Sequence, residues 1–546
     1  GVEAREFFPS GALGLFLIWW PIVASFDLLS AYNLIVLLTL FALIPAAIGL
    51  AGYHLTRDRE AGWLSGSLGV TASLIWYRWA LEYGTLPFLT ATAMLALVVA
   101  LNVRMQSADA EWRVSHSALL FVATSIACFW TLSVLALVPC FVVSWFLVAN
   151  RIRRRHLAGV CAALAVVHLP WILLFLEASR VLSFLTASAP TAVGTHSVHA
   201  HAFALPAIQS YGVLKGSLLV AREFLGAVSP LVLILSIPAI VGLARRDRWM
   251  VCTMIGLALL LAVGGPILKP KLELQRFWLV TVIVLVPAVG AAVRNFLANE
   301  SSPIIRTLLL MAICCAPIWL WRVSANKTMI QASFASREVF DLPAAIERHG
   351  GSGRTLFVGF ILHELSAGHI APLPLLTTKP MIASSYQHDR WKYTEIIPSE
   401  LLTAGDVGVT KYLNAMNVTL IVAHEPKWKK WFRKRSAQYP ELERVGRFVL
   451  FGRAGYIGNY VMTGEAELLE AVDNRVTVRM GGDSAVIKFA YLPILVSDRC
   501  ELRPFSISET LSLVEIARCN SGSQVTISMR SPTQRLARIL HLPYGQ

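Results

Sequence analysis

The stretch LKPKLELQRFW, Leu268 to Trp278, lies between two apolar runs that read as membrane spans, yet it carries two lysines, a glutamate, a glutamine and an arginine. A connection between spans needs only turn residues and perhaps one anchoring charge. What these charges do depends on which side of the membrane they face, and the rest of the chain sets that.

The 546-residue chain is 56% hydrophobic and 15% charged, with 16 Trp, and its mean hydropathy is +0.60. This is too apolar for a soluble protein of such length. The apolar residues concentrate before Trp321, whereas Arg322 onward has ordinary soluble composition. The reading is a polytopic α-helical membrane domain over residues 1–321, followed by a water-soluble tail. A formal charge of +15 does not call for nucleic acid. Basic residues that flank spans set orientation, so membrane lipids are the expected partners. No signal peptide precedes the first residue, Gly1, so the chain is expected to begin inside a longer protein.

Ten spans are expected: Tyr32–Leu55, Ala61–Trp79, Pro87–Val103, Ala118–Leu132, Ser133–Asn150, Leu157–Ala178, Val228–Ala244, Trp249–Ile267, Phe277–Val293 and Thr307–Trp321. The run Ala118–Asn150 is long for one span and short for two, and it is divided because the flanking charges then agree with every other loop. Gly11–Leu29, with Trp19, Trp20 and Pro21 at its centre, reads as a helix lying in the interface, where Trp prefers to sit.

Orientation follows from the connections. TRDRE, RMQSADAEWRVSHS, RIRRRH, RRDR and RNFLANESSPIIR hold thirteen lysines and arginines. The alternate connections hold six, three of them in Leu268–Arg276. The first set is therefore cytoplasmic. The opening stretch and the tail share the outer side, giving a multi-pass plasma (inner) membrane protein with an extracytoplasmic C-terminal region.

In the tail, residues 322–463 read as a small α/β domain. DLPAAIERHG is a helix, and RTLFVGF, VTLIVAH and RFVLFGR are short buried strands. The loop GGSGR follows a helix and precedes a strand, the reverse of the order that aims a helix N-terminus at phosphate. Residues 464–546 alternate in runs such as RVTVRM, AVIKFAYLPILV, LVEIARC and QVTISMR, which predicts a β-sandwich. Only Cys500 and Cys519 lie in the tail; in an exported domain they can pair, the alternative being two buried free thiols.

Polar groups near membrane depth are costly and need a reason. Arg276, with Lys271 and Lys269 just before it, forms a group of cations at the outer boundary. Such a group suits a phosphate or, more blandly, snorkels to headgroups. Glu82, with Tyr83 beside it, sits in a very short outer turn and could hold a divalent cation or a sugar hydroxyl. His196, His199 and His201 crowd one long outer loop without the spacing of a defined metal site. His168 stands near the outer end of its span, where packing or capping explains it.

Several motifs occur in a familiar order. Pro9–Ser10–Gly11 precedes the interfacial helix, Ala31–Tyr32–Asn33–Leu34 opens the next span, and Arg276–Phe277 opens a late one. The tail holds YLNAMNVTLIVAHEP and KFAYLPILV. In this order the chain resembles integral-membrane glycosyltransferases of the GT-C type, specifically the YfhO-like branch. The resemblance implies a sugar donor linked to polyprenyl phosphate on the outer leaflet and phosphate-binding cations from a late outer loop. It also implies an acidic general base in the first outer loop, often with a divalent cation such as Mg or Mn. That acid is expected upstream of Gly1, which leaves Glu3, Glu6 and Asp27 as substitutes within this sequence. The implied function is transfer of a sugar to an outer-face glycan, lipid or protein of the cell envelope, with the tail binding the acceptor or partner proteins. The rivals are a non-catalytic scaffold with a GT-C-like fold and a lipid or sugar transporter. Few charged residues lie inside the spans to line a transport path.

Single cysteines introduced into RIRRRH and RRDR are expected to react with an impermeant maleimide only after permeabilisation, and cysteines placed after Arg322 without it. Labelling of the tail only after permeabilisation would reverse the orientation.

Overall fold

The computed structural model describes residues 18–71, 86–107, 111–187, 218, 230–245, 249–268, 274–299, 302–308, 310–313, 315, 337–359, 373–383, 396–472 and 475–540. The chain forms two compact units. One comprises Pro9–Pro170 and Ser197–Met329; the other comprises Gly1–Phe8, Trp171–His196 and Ile330–Gln546.

The first unit is helical. It begins with α1 (Trp20–Ser25) and α2 (Leu28–Leu38), continues through a π-helical turn at Thr39–Leu43, and runs on as α3 (Ile44–Thr56). There follow α4 (Arg59–Thr71), α5 (Leu86–Gln106), α6 (Val114–Ala127), α7 (Val134–Leu147) and α8 (Arg151–Ala187), whose residues from Trp171 on belong to the second unit. The last three are α9 (Pro230–Arg245), α10 (Trp249–Leu268) and α11 (Phe277–Asn299). By length and composition, Ser30–Thr56, α5 and α11 can each cross a membrane. Helices α6 and α7 have 14 residues each, about 21 Å at the usual rise, and a turn ending in a 3-10 turn at Thr131–Ser133 separates them. The expected interfacial helix over 11–29 differs from what is described. Pro21 sits in the first turn of the six-residue α1, where its missing N–H costs nothing. The chain then breaks at Phe26–Asp27, and Asp27 accepts the Ser30 N–H at 3.1 Å to start α2.

Helices α5 and α11 form the buried centre. Nearly every residue from Leu86 to Asn102 is buried, as expected of a helix apolar on all sides. Two of its polar residues bond back to the helix: Thr92 Oγ1 donates to Phe88 O at 2.8 Å and Asn102 Nδ2 to Val98 O at 2.8 Å. Small residues let α3, α4 and α11 approach closely. Ser65 is fully buried and donates to Ala61 O at 2.6 Å. A Cβ on Gly290 would overlap Ser65 Oγ and lie 2.9 Å from Ser65 Cα, and one on Gly66 would lie 3.0 Å from Pro45 O. Such backbone contact is how helices gain dispersion energy where lipid removes the hydrophobic drive.

The connections at the C-terminal end of α5 bond to one another. Arg57 Nη2 donates to Ser107 Oγ at 2.9 Å, Arg153 Nη1 to Met105 O at 3.0 Å and Ser107 O at 2.5 Å, and Arg294 pairs with Asp58 at 2.5 Å. These come from TRDRE, RMQS, RIRRRH and RNF, all in the set rich in basic residues.

The second unit carries two sheets. It contains α12 (Arg337–His349), β1 (Arg354–Val358), α13 (Leu373–Leu376), β2 (Met381–Ile382), α14 (Ser399–Thr403) and α15 (Gly405–Ala415). Then come β3 (Val418–Ala423), α16 (Pro426–Arg433), β4 (Glu441–Val445) and β5 (Phe448–Phe451). The first sheet has the order β2-β1-β3-β5-β4, parallel among β2, β1 and β3 and antiparallel beyond. Strand β1 is buried throughout. Leu356 and Val358 face Trp428 and Phe432, while Phe357 faces Leu342 and Ile346. Period-two alternation thus serves a core on each face.

The second sheet has β6 (Val461–Val472), β7 (Arg475–Ala490), β8 (Leu495–Ser497), β9 (Glu501–Ser506), β10 (Ser512–Ala517) and β11 (Gln524–Met529), closed by α17 (Pro532–Ile539). A sandwich of two sheets was expected. Instead one six-stranded sheet has the order β8-β11-β7-β10-β9, with β6 also on β7. The runs RVTVRM and AVIKFA are a single strand. Its first half pairs with β11 and its second with β10, with a register shift against β6 between Gly464 and Ala466. One core takes Val478, Met480 and Val525 from one half and Ile487, Val514 and Ile516 from the other, so a bent strand does the work of a second sheet. A disulfide joins Cys500 and Cys519, Cα atoms 5.2 Å apart, across the open end of the β9–β10 hairpin. Arg354, 6% exposed, links the two sheets. It donates to Met416 O at 2.8 Å and Lys488 O at 2.7 Å, with its guanidinium 4.8 Å from the Tyr460 ring and 4.6 Å from the Phe489 ring.

Replacing Gly290 by alanine should destabilise the helical unit by about 1–3 kcal/mol through overpacking against the Ser65 backbone. The same change at Gly256, where a Cβ meets nothing within 4 Å, should be neutral or slightly stabilising. Thermal unfolding of both variants in one detergent checks the contrast; equal effects would mean that the close approach is not used.

Candidate functional site

At the N-terminal end of α5, about 30 Å from the arginine-rich end at helical rise, a second set of connections meets. The chain leaving α10 returns through a 3-10 turn, Leu274–Arg276, directly into α11. Leu274 is buried and packs onto Gly265, where a Cβ would lie 2.5 Å from the Leu274 Cβ. This contact pins the turn against α10 and so fixes where Arg276 begins.

The Arg276 guanidinium stands 5.5 Å from the centroid of the Phe88 ring. Phe88 packs edge-on to Trp130 with centroids 4.7 Å apart, and Trp130 lies 4.9 Å from Phe277. All three rings are buried. They come from the start of α5, the turn after α6 and the start of α11, so three connections assigned to one side of the membrane build one aromatic bed. A guanidinium over such a ring gains a cation–π attraction, and its planar N–H array matches the geometry of two phosphate oxygens. Arg276 is half-buried, which strengthens its field towards an anion compared with full exposure. The arrangement can hold one anionic oxygen pair at the end of the bundle.

The other sequence candidates fall differently. Lys269, Lys271, Glu82, Tyr83, His196, His199, His201, Glu3 and Glu6 lie outside the described residues. Asp27 is exposed and caps α2. Among the described residues no group of three or more His, Cys, Asp and Glu could hold a metal ion, so the expected divalent cation has no ligand set there. Sequence reasoning missed Phe88 and Trp130. Their signal was position: each follows or forms a turn on the charge-poor side, and an aromatic at that depth is anchored in the interface.

No family model matches this sequence, and no curated protein does. Among solved structures the chain is similar to apo ArnT from Cupriavidus metallidurans, with 13% identity and a TM-score of 0.46 over 81% of this chain and 86% of that one. It is similar to ArnT bound to undecaprenyl phosphate, with 14% identity and a TM-score of 0.45 over 82% and 88%. It is also similar to the arabinofuranosyltransferase AftD from Mycobacteria, with 13% identity and a TM-score of 0.44 over 77% of this chain and 34% of AftD. Likeness at this level fixes neither fold nor activity, which rest on the residues above.

A double-mutant cycle of Phe88→Leu and Arg276→Gln, read by thermal unfolding in detergent, should give a coupling of about 0.5–2 kcal/mol. A coupling of zero would mean that the ring does not hold the cation.

Proposed function

We propose that this chain is a GT-C-like membrane glycosyltransferase that moves a sugar from a polyprenyl-phosphate donor to an acceptor at the outer face. The observation supporting it most is Arg276, a guanidinium over the Phe88 ring, which Trp130 and Phe277 back in a chain of buried aromatic contacts at the head of a buried helix. It stands at the end of α5 away from the arginine-rich connections. In the reaction the bond between the sugar's anomeric carbon and the phosphate oxygen breaks, and its electron pair stays on the phosphate. The acceptor oxygen forms the new bond and gives its proton to a base. Arg276, extended by Lys271 and Lys269, neutralises the charge that grows on the leaving phosphate, which is where a fixed cation lowers the barrier.

Glu82, with Tyr83, orients the sugar or supplies the base, and Glu3 and Glu6 are the other carboxylates assigned to the same side. Glu82 is also where a divalent cation such as Mg or Mn would bind, where it would offset negative charge on the donor. The acceptor is a glycan, lipid or protein of the cell envelope, and the unit holding both sheets binds it or a partner protein.

Arg276→Gln should weaken donor binding by about 1.5–3 kcal/mol, roughly ten- to hundredfold, at unchanged protein level. Arg276→Lys should restore only part, because an ammonium cannot fork two oxygens. Binding of a polyprenyl-phosphate sugar to purified variants measures this. Equal donor affinity in wild type and the Gln variant would leave Arg276 as a headgroup anchor. Donor binding without any transfer would favour the scaffold.

A further inference from the structure

Helix α16 concentrates positive charge that the reaction above does not use. Its sequence PKWKKWFR runs on into Lys434 and Arg435. Helical period sorts these residues onto two faces. Trp428 and Phe432 point into the core of the first sheet, with Phe432 stacked on Phe451 at 5.2 Å. Lys429, Lys430, Arg433 and Lys434 recur three and four apart on another face, and with Pro426 they line an open concavity of about 420 Å³.

Lys429 with Arg433 and Lys430 with Lys434 are like charges four residues apart, a spacing that disfavours the helix that carries it. Nearby carboxylates do not neutralise the face. Glu441 pairs with Arg433 at 2.9 Å but is shared with Arg444, and Asp406 pairs with Arg435. Among the described residues Lys429, Lys430 and Lys434 form no ion pair. Lys429 is half-buried, and its ammonium is held below the usual lysine range, first by that burial and then by Arg433, Arg444 and Arg447. Ordinary surface lysines spread apart in water. These are kept together because their own helix is locked into the core by Trp428 and Phe432.

We propose that this concavity binds a compact, multiply charged phosphate group, supplied either by a lipid headgroup or by a free diphosphate. One exposed ion pair is weak, but four cations that converge on one polyanion add their fields before it arrives and relieve their mutual repulsion when it does. The volume suits a small anion. Four of the five residues that line it are basic and none is aromatic, so the recognition is of charge and not of an acyl chain. The site lies in the unit that does not contain Arg276, and it does not depend on the transfer reaction.

Hydrogen–deuterium exchange of the full chain in nanodiscs gives a local readout. In phosphatidylcholine discs, inorganic pyrophosphate is expected to slow exchange across Pro426–Lys434 if the ligand is a free diphosphate. If it is a headgroup, protection appears without pyrophosphate when phosphatidic acid, whose phosphomonoester can carry two charges, replaces part of the phosphatidylcholine. In the Lys429→Gln/Lys430→Gln/Lys434→Gln variant, the half-saturating amount of the active probe should rise about tenfold, from three weak pairs lost together. Unchanged exchange in Val418–Ala423 shows that the domain is still folded, and the single exposed change Lys434→Gln serves if it is not. Protection should persist in Arg276→Gln, which separates this site from the donor site. No protection with either probe, or equal protection in the charge-neutralised variant and the wild type, overturns the proposal.

Discussion

Helices in a bilayer gain little from hiding apolar surface, because lipid is as apolar as they are. What holds this helical unit is the close approach of α3, α4 and α11 around the buried Ser65, permitted by Gly52, Gly66 and Gly290. The hydroxyl of Ser65 stays bonded to Ala61 O, so nothing polar is left unpaired in the contact. With α11 held in this way, its first residue, Phe277, is fully buried and closes on Trp130. The aromatic contacts beside Arg276 therefore depend on a packing contact midway along the same helix.

The two ends of α5 show one residue type in opposite uses. Arg57 and Arg153 bond to Ser107 and to chain carbonyls, and Arg294 pairs with Asp58; together they tie four connections into a polar cap. Arg276 instead stands over the Phe88 ring, which gives a cation an electrostatic partner as well as packing. Its place in a connection on the side away from the basic-rich ones is why Arg276 is the arginine assigned to donor phosphate.

The sheet-bearing unit is held by ordinary hydrophobic cores. Burying Leu356, Phe357 and Val358 on both faces of β1 gives the first sheet its core, and Arg354 bridges it to the second through two carbonyls and two rings. An arginine that is 6% exposed, with Nη1 bonded to two carbonyls and two rings against its guanidinium, is costly to remove. Among the described residues of this unit, α16 concentrates lysines without ion pairs, and its inward aromatic residues fix the outward cations.

Sequence by itself determined what depends on local composition and period. It separated the apolar residues before Trp321 from the soluble tail, sorted the connections by basic content, divided Ala118–Asn150 into two helices and found α12, β1, β3, β5, β10 and β11. It also singled out Arg276 and the pair Cys500 and Cys519, since few residues of those types stand where they do. Tertiary structure alone decided what depends on partners distant in the chain. Phe88 and Trp130 read as ordinary interface aromatics until three turns bring them under Arg276. The small residues Gly52, Gly66 and Gly290 read as composition until Ser65 lies against them. The second sheet was read as two because alternation reports which face a residue takes, but not that one strand, β7, bends and changes partners midway. Period is written in neighbouring residues, whereas register and approach are set by the whole packed unit.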